Sequence, residues 1–82
     1  MARKPPAVIE RKLGRERADG LYHEDDALIE IDSRLKGERR LDTLIHEFLH
    51  HRDPAAREKD VAATSTALAR FLWRQRVRIL DS

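Results

Sequence analysis

Residues Leu41 to His50 read LDTLIHEFLH, and their spacing sets the secondary structure of the second half of the chain. The apolar side chains in this stretch recur three and four residues apart, which places them along one stripe of an α-helix. They are Leu41, Leu44, Ile45 and Phe48. We expect a helix over residues 38–52 whose apolar stripe faces the core. Pro54 ends this helix, because a proline pushes the residue before it out of the helical region.

Two histidines lie one helical turn apart in the same stretch. His46-Glu47-Phe48-Leu49-His50 is the pattern H-E-x-x-H, which puts both imidazoles on one helix face. Two nitrogen ligands are then preset for one Zn²⁺ ion. Glu47 lies beside the pair and is expected to act as general base on a zinc-bound water. The plainer interpretation is that His46 and His50 only form hydrogen bonds on a solvated helix face.

A catalytic zinc needs three protein ligands and an open position, so a further ligand is expected downstream. A second helix is predicted over residues 56–79, and Glu58 lies on the side of it that faces the first helix. That side forms a seam made of Val61, Ser65, Leu68, Leu72 and Ile79. A carboxylate on such a seam is costly unless it is paired or bound to a metal, which favours Glu58 as the third ligand. Asp60 is the rival ligand, but it points about 200° away on the helix. His51 is expected to flank the site.

The first half of the chain has the pattern of a small sheet. Residues 7–13 form a short run rich in β-branched side chains, and residues 21–23 can extend briefly. Residues 27–32 alternate apolar and acidic side chains with the period of a half-buried strand. The sequence therefore predicts the α+β class. A small antiparallel β-meander of two or three strands over residues 7–36, preceded by a flexible N-terminus at 1–6, leads into two packed helices.

Composition limits the class of protein. The chain has 82 residues, and 17 Lys and Arg against 15 Asp and Glu leave a net charge of +2. It has no cysteine, so a metal would have to be held by histidine and carboxylate. No run approaches the roughly 20 apolar residues of a membrane helix. We expect a single domain over residues 1–82, a cytoplasmic location and no membrane partner.

The second half also resembles a known family. Leu41–His50, the following Asp53-Pro54 and the pattern Glu58-x-x-Val61-Ala62 are similar to minimal gluzincin-type zinc metallopeptidases. These include small phage and bacterial peptidases related to SprT-like and ImmA/IrrE-like domains. The resemblance covers about residues 28–73 and implies a zincin-like minimal core, in which a short sheet precedes the H-E-x-x-H helix.

The resemblance implies roles for particular residues. It gives His46, His50 and Glu58 as zinc ligands. By the same resemblance, Glu47 is the general base that acts on the zinc-bound water when the enzyme hydrolyses a peptide bond. It also implies that the strand around residues 28–32 forms a rim along which a peptide or protein substrate lies. The group that stabilises the oxyanion stays open between three candidates, which are Tyr22, His23 and His51.

Two alternatives come from other classes. One is a catalytically silent, zinc-stabilised binding or regulatory module. The other is a small nucleic-acid-binding protein whose basic residues are Arg70, Arg74, Arg76 and Arg78. The net charge of only +2 disfavours nucleic acid as a partner. Phe71 and Trp73 leave both a monomer and a homodimer open.

Overall fold

The computed structural model describes residues 5–15 and 18–77. Three strands precede two helices, which confirms the predicted α+β class. The strands are β1 (Ala7–Arg11), β2 (Gly20–His23) and β3 (Leu28–Asp32), and the helices are α1 (Gly37–Arg52) and α2 (Glu58–Arg74). Neither helix of this described part is long and apolar enough to cross a membrane.

The three strands form one mixed sheet with β3 at its centre. β2 pairs with β3 antiparallel through a turn at residues 24–27, whereas β1 pairs with β3 in parallel, with Ala7 opposite Leu28. The predicted antiparallel meander is therefore wrong in its strand order. β1 and β2 lie on opposite sides of β3, so the chain crosses the sheet between Arg11 and Gly20. That step spans two strand spacings, about 10 Å, and a residue reaches up to about 3.3 Å.

The core is centred on β3. Ile29 and Ile31 lie on one face of this strand and form the buried cluster together with Leu35. Asp32 is also buried although it is charged. Its carboxylate accepts hydrogen bonds from the backbone and the guanidinium of Arg34, which compensates for the loss of water.

α1 matches its predicted range, beginning one residue earlier, but its orientation differs from the prediction. Its buried side chains are Thr43, Glu47 and His51, whereas Phe48 of the apolar stripe is 44% exposed. The cause lies in β2, because a Cβ atom on Gly20 would lie 2.7 Å from Thr43 Cγ2. Only glycine permits this close approach of strand and helix. α1 consequently turns a polar face toward β2.

The apolar stripe of α1 is only partly covered. Leu44 packs against the core cluster. Ile45 and Phe48, like the outer side of the Leu44 position, border an apolar groove of about 540 Å³ that Val8 of β1 and Leu68 of α2 also line. The expectation that the whole stripe faces the core is therefore wrong.

α2 is shorter than the predicted range of 56–79. Arg76 adopts a positive φ of 64°, and the Val77 N–H donates to the Leu72 carbonyl, which closes the helix. Positions 78 and 79 of the prediction lie outside the described residues. Among the elements described, α2 packs against α1 alone. Side chains at the contact between the two helices are therefore positioned by α1 and α2 together.

Candidate metal centre

The three side chains that the sequence predicts as metal ligands meet where α1 and α2 touch. His46 Nε2 lies 3.2 Å from His50 Nε2 on α1. Glu58 reaches both rings from α2, with Oε1 2.7 Å from His46 Nε2 and Oε2 2.8 Å from His50 Nε2. One ligand atom from each residue lies within 4.8 Å of the others. The helical spacing of the two histidines and the turn before α2 together produce this cluster.

The donors suit zinc by type and by spacing. Zn²⁺ binds imidazole nitrogen and carboxylate oxygen at about 2.0–2.2 Å, so two ligands of a tetrahedral ion lie about 3.3 Å apart. The nitrogens of His46 and His50 already have nearly that separation, at 3.2 Å. The Glu58 oxygens are closer to the rings, but this side chain is 69% exposed and has room to withdraw. The donor set therefore fits a zinc ion with three protein ligands.

Glu47 lies on the face of α1 that turns toward β2. The residue is only 8% exposed, and its carboxylate makes no hydrogen bond or ion pair with any residue that the structure describes. Burial raises the pKa of Glu47 above its ordinary value, while the neighbouring charges of His46 and His50 act in the opposite direction. A buried, unpartnered carboxyl with a raised pKa is suited to proton transfer.

Two cavities open on either side of the cluster. One has a volume of about 570 Å³ and reaches toward Asp19 and Arg39. The other has a volume of about 350 Å³ and reaches toward Tyr22 and Pro54. Both are lined by Gly20, His46, Glu47 and Glu58. Together the two cavities border the three ligands and residues 20–22 of β2, and we refer to them as the cleft.

Of the three candidates for stabilising an oxyanion, Tyr22 borders the cleft. Its hydroxyl oxygen lies 2.8 Å from His51 Nδ1, and the two rings meet edge to face with 5.5 Å between centroids. His51 is 3% exposed and supports Tyr22 from the interior. His23 is directed elsewhere, because its Nε2 lies 3.2 Å from Glu30 Oε1.

The structure also separates the two candidates for the third ligand. Glu58 is in the cluster, whereas Asp60 accepts a hydrogen bond from Arg57 Nε at 3.0 Å and lies outside it. The expected burial of Glu58 in an apolar seam is wrong, however. Its side chain is largely exposed rather than buried in an apolar seam. The reach of Glu58 to both histidines comes from its place in the first turn of α2.

Sequence reasoning missed a set of hydrogen bonds behind His46. Ser65 is fully buried, and its hydroxyl donates to Asp42 Oδ1 at 2.8 Å and lies 3.5 Å from His46 Nδ1. Thr66 Oγ1 donates to the other Asp42 oxygen at 2.9 Å. The available signal was spacing: Asp42 lies one turn before His46 on α1, and Ser65 lies about two turns after Glu58 on α2.

The basic residues in the last turn of α2 and just after it do not contribute to this site. Arg70, Arg74 and Arg76 are exposed, and none of them borders either cavity. Arg78 lies outside the described residues.

Comparison of the chain with protein families, with curated proteins and with solved structures finds no match. The resemblance to gluzincin-type peptidases therefore stays a prediction.

Proposed function

We propose that the protein is a zinc-dependent peptidase. One observation carries the proposal: the predicted ligands lie within 4.8 Å of one another, beside a buried and unpartnered Glu47 in an open cleft. A structural zinc site is closed by four protein ligands, whereas a catalytic site has three and keeps one position open. Three ligands with an adjacent carboxylate therefore favour catalysis.

His46 Nε2, His50 Nε2 and a carboxylate oxygen of Glu58 would hold the metal. When bound, zinc supplies Lewis-acid chemistry, because it lowers the pKa of water and polarises a carbonyl oxygen. The two imidazoles are presented by one helix and Glu58 by the next, so metal binding would also join α1 to α2.

Glu47 is the group that moves the proton. Its carboxylate accepts a proton from the attacking water and donates it to the amine nitrogen as the peptide C–N bond breaks. The raised pKa of Glu47 supports this role, since the same carboxyl has to hold the proton between the two steps.

The proposed substrate is an extended peptide along β2. The family resemblance implies that residues 28–32 form the rim, but this strand is β3, which pairs with a neighbour on each side. β2 lies at the edge of the sheet, and Gly20, Leu21 and Tyr22 border the cleft. A free strand edge offers backbone donors and acceptors to a peptide. We therefore place the rim along which the peptide lies at β2 rather than at β3.

Tyr22 is the proposed donor to the carbonyl oxygen that becomes negative. When His51 Nδ1 carries a proton and donates it to the Tyr22 oxygen, the hydroxyl proton of Tyr22 is left for the substrate. The 2.8 Å contact between the two residues also fixes the ring of Tyr22 at the edge of the cleft. Such fixed donors stabilise the charge that develops in the transition state.

A second candidate is the zinc-stabilised binding module without turnover. The observation that favours it is the short edge of β2, which has only four residues, Gly20–His23, with which to pair a peptide. Both candidates require the metal, but only the peptidase requires the charge of Glu47.

The substitution Glu47→Gln tests the proposal, because it keeps the size of the side chain and removes its basicity. We expect zinc to stay bound while hydrolysis of a mixed peptide pool falls by about 10²–10⁴-fold. Glu38→Gln, at an exposed carboxylate in the first turn of α1, is the matched control. Full hydrolysis by Glu47→Gln contradicts the proposed mechanism, and zinc binding without hydrolysis by the wild type supports the binding module.

A further inference from the structure

We propose that Asp42 and Ser65 are positioning residues that orient His46 for the metal, an inference that rests on the proposed function. Each of the two ring nitrogens of His46 has its own partner. Nε2 faces Glu58 at 2.7 Å, and Nδ1 faces Ser65 Oγ at 3.5 Å. Both partners are on α2, so this one helix contacts both ring nitrogens of His46.

The directions of the hydrogen bonds follow from what each group can donate. A hydroxyl has one proton and two lone pairs, and an ionised carboxylate only accepts. Two acceptors lie near the Ser65 proton, Asp42 Oδ1 at 2.8 Å and the Ala62 carbonyl at 3.2 Å, and the shorter contact with the charged carboxylate is the stronger one. A lone pair of Ser65 Oγ is left for His46 Nδ1, which must then carry a proton. Metal binding would then displace the proton that Nε2 shares with Glu58 at 2.7 Å, while Nδ1 would keep its own proton.

Asp42 is itself held in place. Its second oxygen accepts a hydrogen bond from Thr66 Oγ1 at 2.9 Å, so both carboxylate oxygens are fixed by neighbouring residues of α2. Ser65 is fully buried, which shields its hydroxyl from water. In metal sites, a carboxylate that is connected to a ligating imidazole by hydrogen bonds raises the basicity of the imidazole and fixes its orientation.

The arrangement is specific to one of the two histidines. His50 is contacted at Nε2 by His46 and Glu58. In the described part of the chain, its Nδ1 has no hydrogen bond comparable with the one that His46 Nδ1 donates to Ser65 Oγ. We therefore expect Ser65 and Asp42 to act on metal binding through His46 alone.

The test measures the affinity for Zn²⁺ by competition with a chelating indicator. Ser65→Ala and Asp42→Asn should each lower it by about 10–100-fold. The double variant should bind zinc no more weakly than the weaker single variant, because both changes break one chain of hydrogen bonds. Thr64→Ala, an exposed hydroxyl on the same helix, is the matched control and should bind as the wild type does.

A second readout separates positioning from general stability. In zinc-loaded wild type, the His46 Nδ1 proton should appear in NMR spectra as a hydrogen-bonded resonance protected from exchange, and it should lose this protection in Ser65→Ala. If Ser65→Ala does not fold, Asp42→Asn decides, since asparagine keeps the shape of the partly exposed aspartate. Wild-type zinc affinity in these folded variants, or additive losses in the double variant, would overturn the positioning role. Absence of zinc binding in the wild type would instead overturn the metal centre itself.

Discussion

Glu58 Oε1 lies 2.7 Å from His46 Nε2, across the contact between α2 and α1. The other oxygen of Glu58 reaches the second histidine of the H-E-x-x-H pattern at 2.8 Å. A single exposed carboxylate on one helix is thus matched to two imidazoles on another. This relationship makes Glu58 the side chain on which the proposed metal centre depends, and it distinguishes Glu58 from the acidic residue two positions later.

Replacing the two acidic residues separately tests that distinction. Glu58→Gln should weaken zinc binding by more than about 100-fold, because loss of a direct ligand costs more than loss of a supporting residue. Asp60→Asn should leave zinc binding unchanged, since Asp60 pairs with Arg57 outside the cluster. Zinc titrations of the two variants side by side give the answer. Equal losses would show that Asp60 also binds the metal.

The ionised carboxylate of Glu47 should destabilise the metal-free protein. Burial raises its pKa in the folded chain, so the native state binds the proton more tightly than the unfolded state does. Stability then falls as the pH rises from about 4.3, the ordinary value for glutamate, through the folded-state value. Glu47→Gln should therefore stabilise the metal-free protein by about 0.5–2 kcal/mol at neutral pH. The gain should disappear below about pH 4.

Urea unfolding of metal-free protein at several pH values checks this prediction. The control is Glu38→Gln, where the carboxylate is exposed. A loss of stability in Glu47→Gln at neutral pH would mean that the buried carboxylate has a stabilising partner.

Gly20 should be intolerant of a side chain. A Cβ atom there would lie 2.7 Å from Thr43 Cγ2 and 3.1 Å from Glu47 Cγ. Gly20→Ala must push β2 away from α1, and we expect a loss of about 1–3 kcal/mol in the free energy of unfolding. Zinc affinity should change far less, because the three ligands are on the helices.

Gly14→Ala serves as the control, because its Cβ would meet only Arg34 Nη2, at an ordinary contact distance of 3.5 Å. Chemical denaturation of both variants measures the effect. Equal stability of Gly20→Ala and wild type would contradict the close packing of β2 against α1.

Asp32 should make the fold sensitive to acid. Hydrogen bonds from Arg34 hold the pKa of Asp32 well below its usual range. Because the folded-state pKa is depressed, this contribution to stability is present above about pH 3.9 and is lost as the pH falls toward the folded-state value. Asp32→Asn should be less stable than the wild type at neutral pH, and the two should converge in acid.

Melting temperatures measured between neutral and acidic pH test this behaviour. Asp26→Asn, in the exposed turn before β3, is the control and should follow the wild type. A constant difference between Asp32→Asn and wild type at every pH would assign the effect to packing rather than to charge.

Local spacing predicted part of this molecule well. The bounds of α1 follow from a periodicity contained within one helix. The meeting of His46 with His50 follows from helix geometry in the same way. The turn and the helix phase place Glu58 near the pair, although its side chain is exposed rather than buried in the apolar seam of α2.

What failed depends on contacts between distant parts of the chain. β1 pairs with β3 rather than with β2, and no periodicity in the sequence between β1 and β2 indicates this pairing. The face that α1 buries depends on the absence of a side chain at Gly20, which no helical pattern within α1 reveals. The helical pattern of α2 places Ser65 on the packing seam but does not reveal its hydrogen-bond partners, because Asp42 and His46 lie on the other helix.

The central claim is that His46, His50 and Glu58 hold one zinc ion. The most direct test is the zinc content per chain of protein purified without added metal, measured for the wild type and for Glu58→Ala. We predict about one zinc per chain in the wild type, from the single three-residue cluster in the described part of the chain, and much weaker retention in the variant. A wild-type protein that holds no zinc, even after reconstitution, would contradict the account and leave the two histidines as ordinary hydrogen-bonding residues.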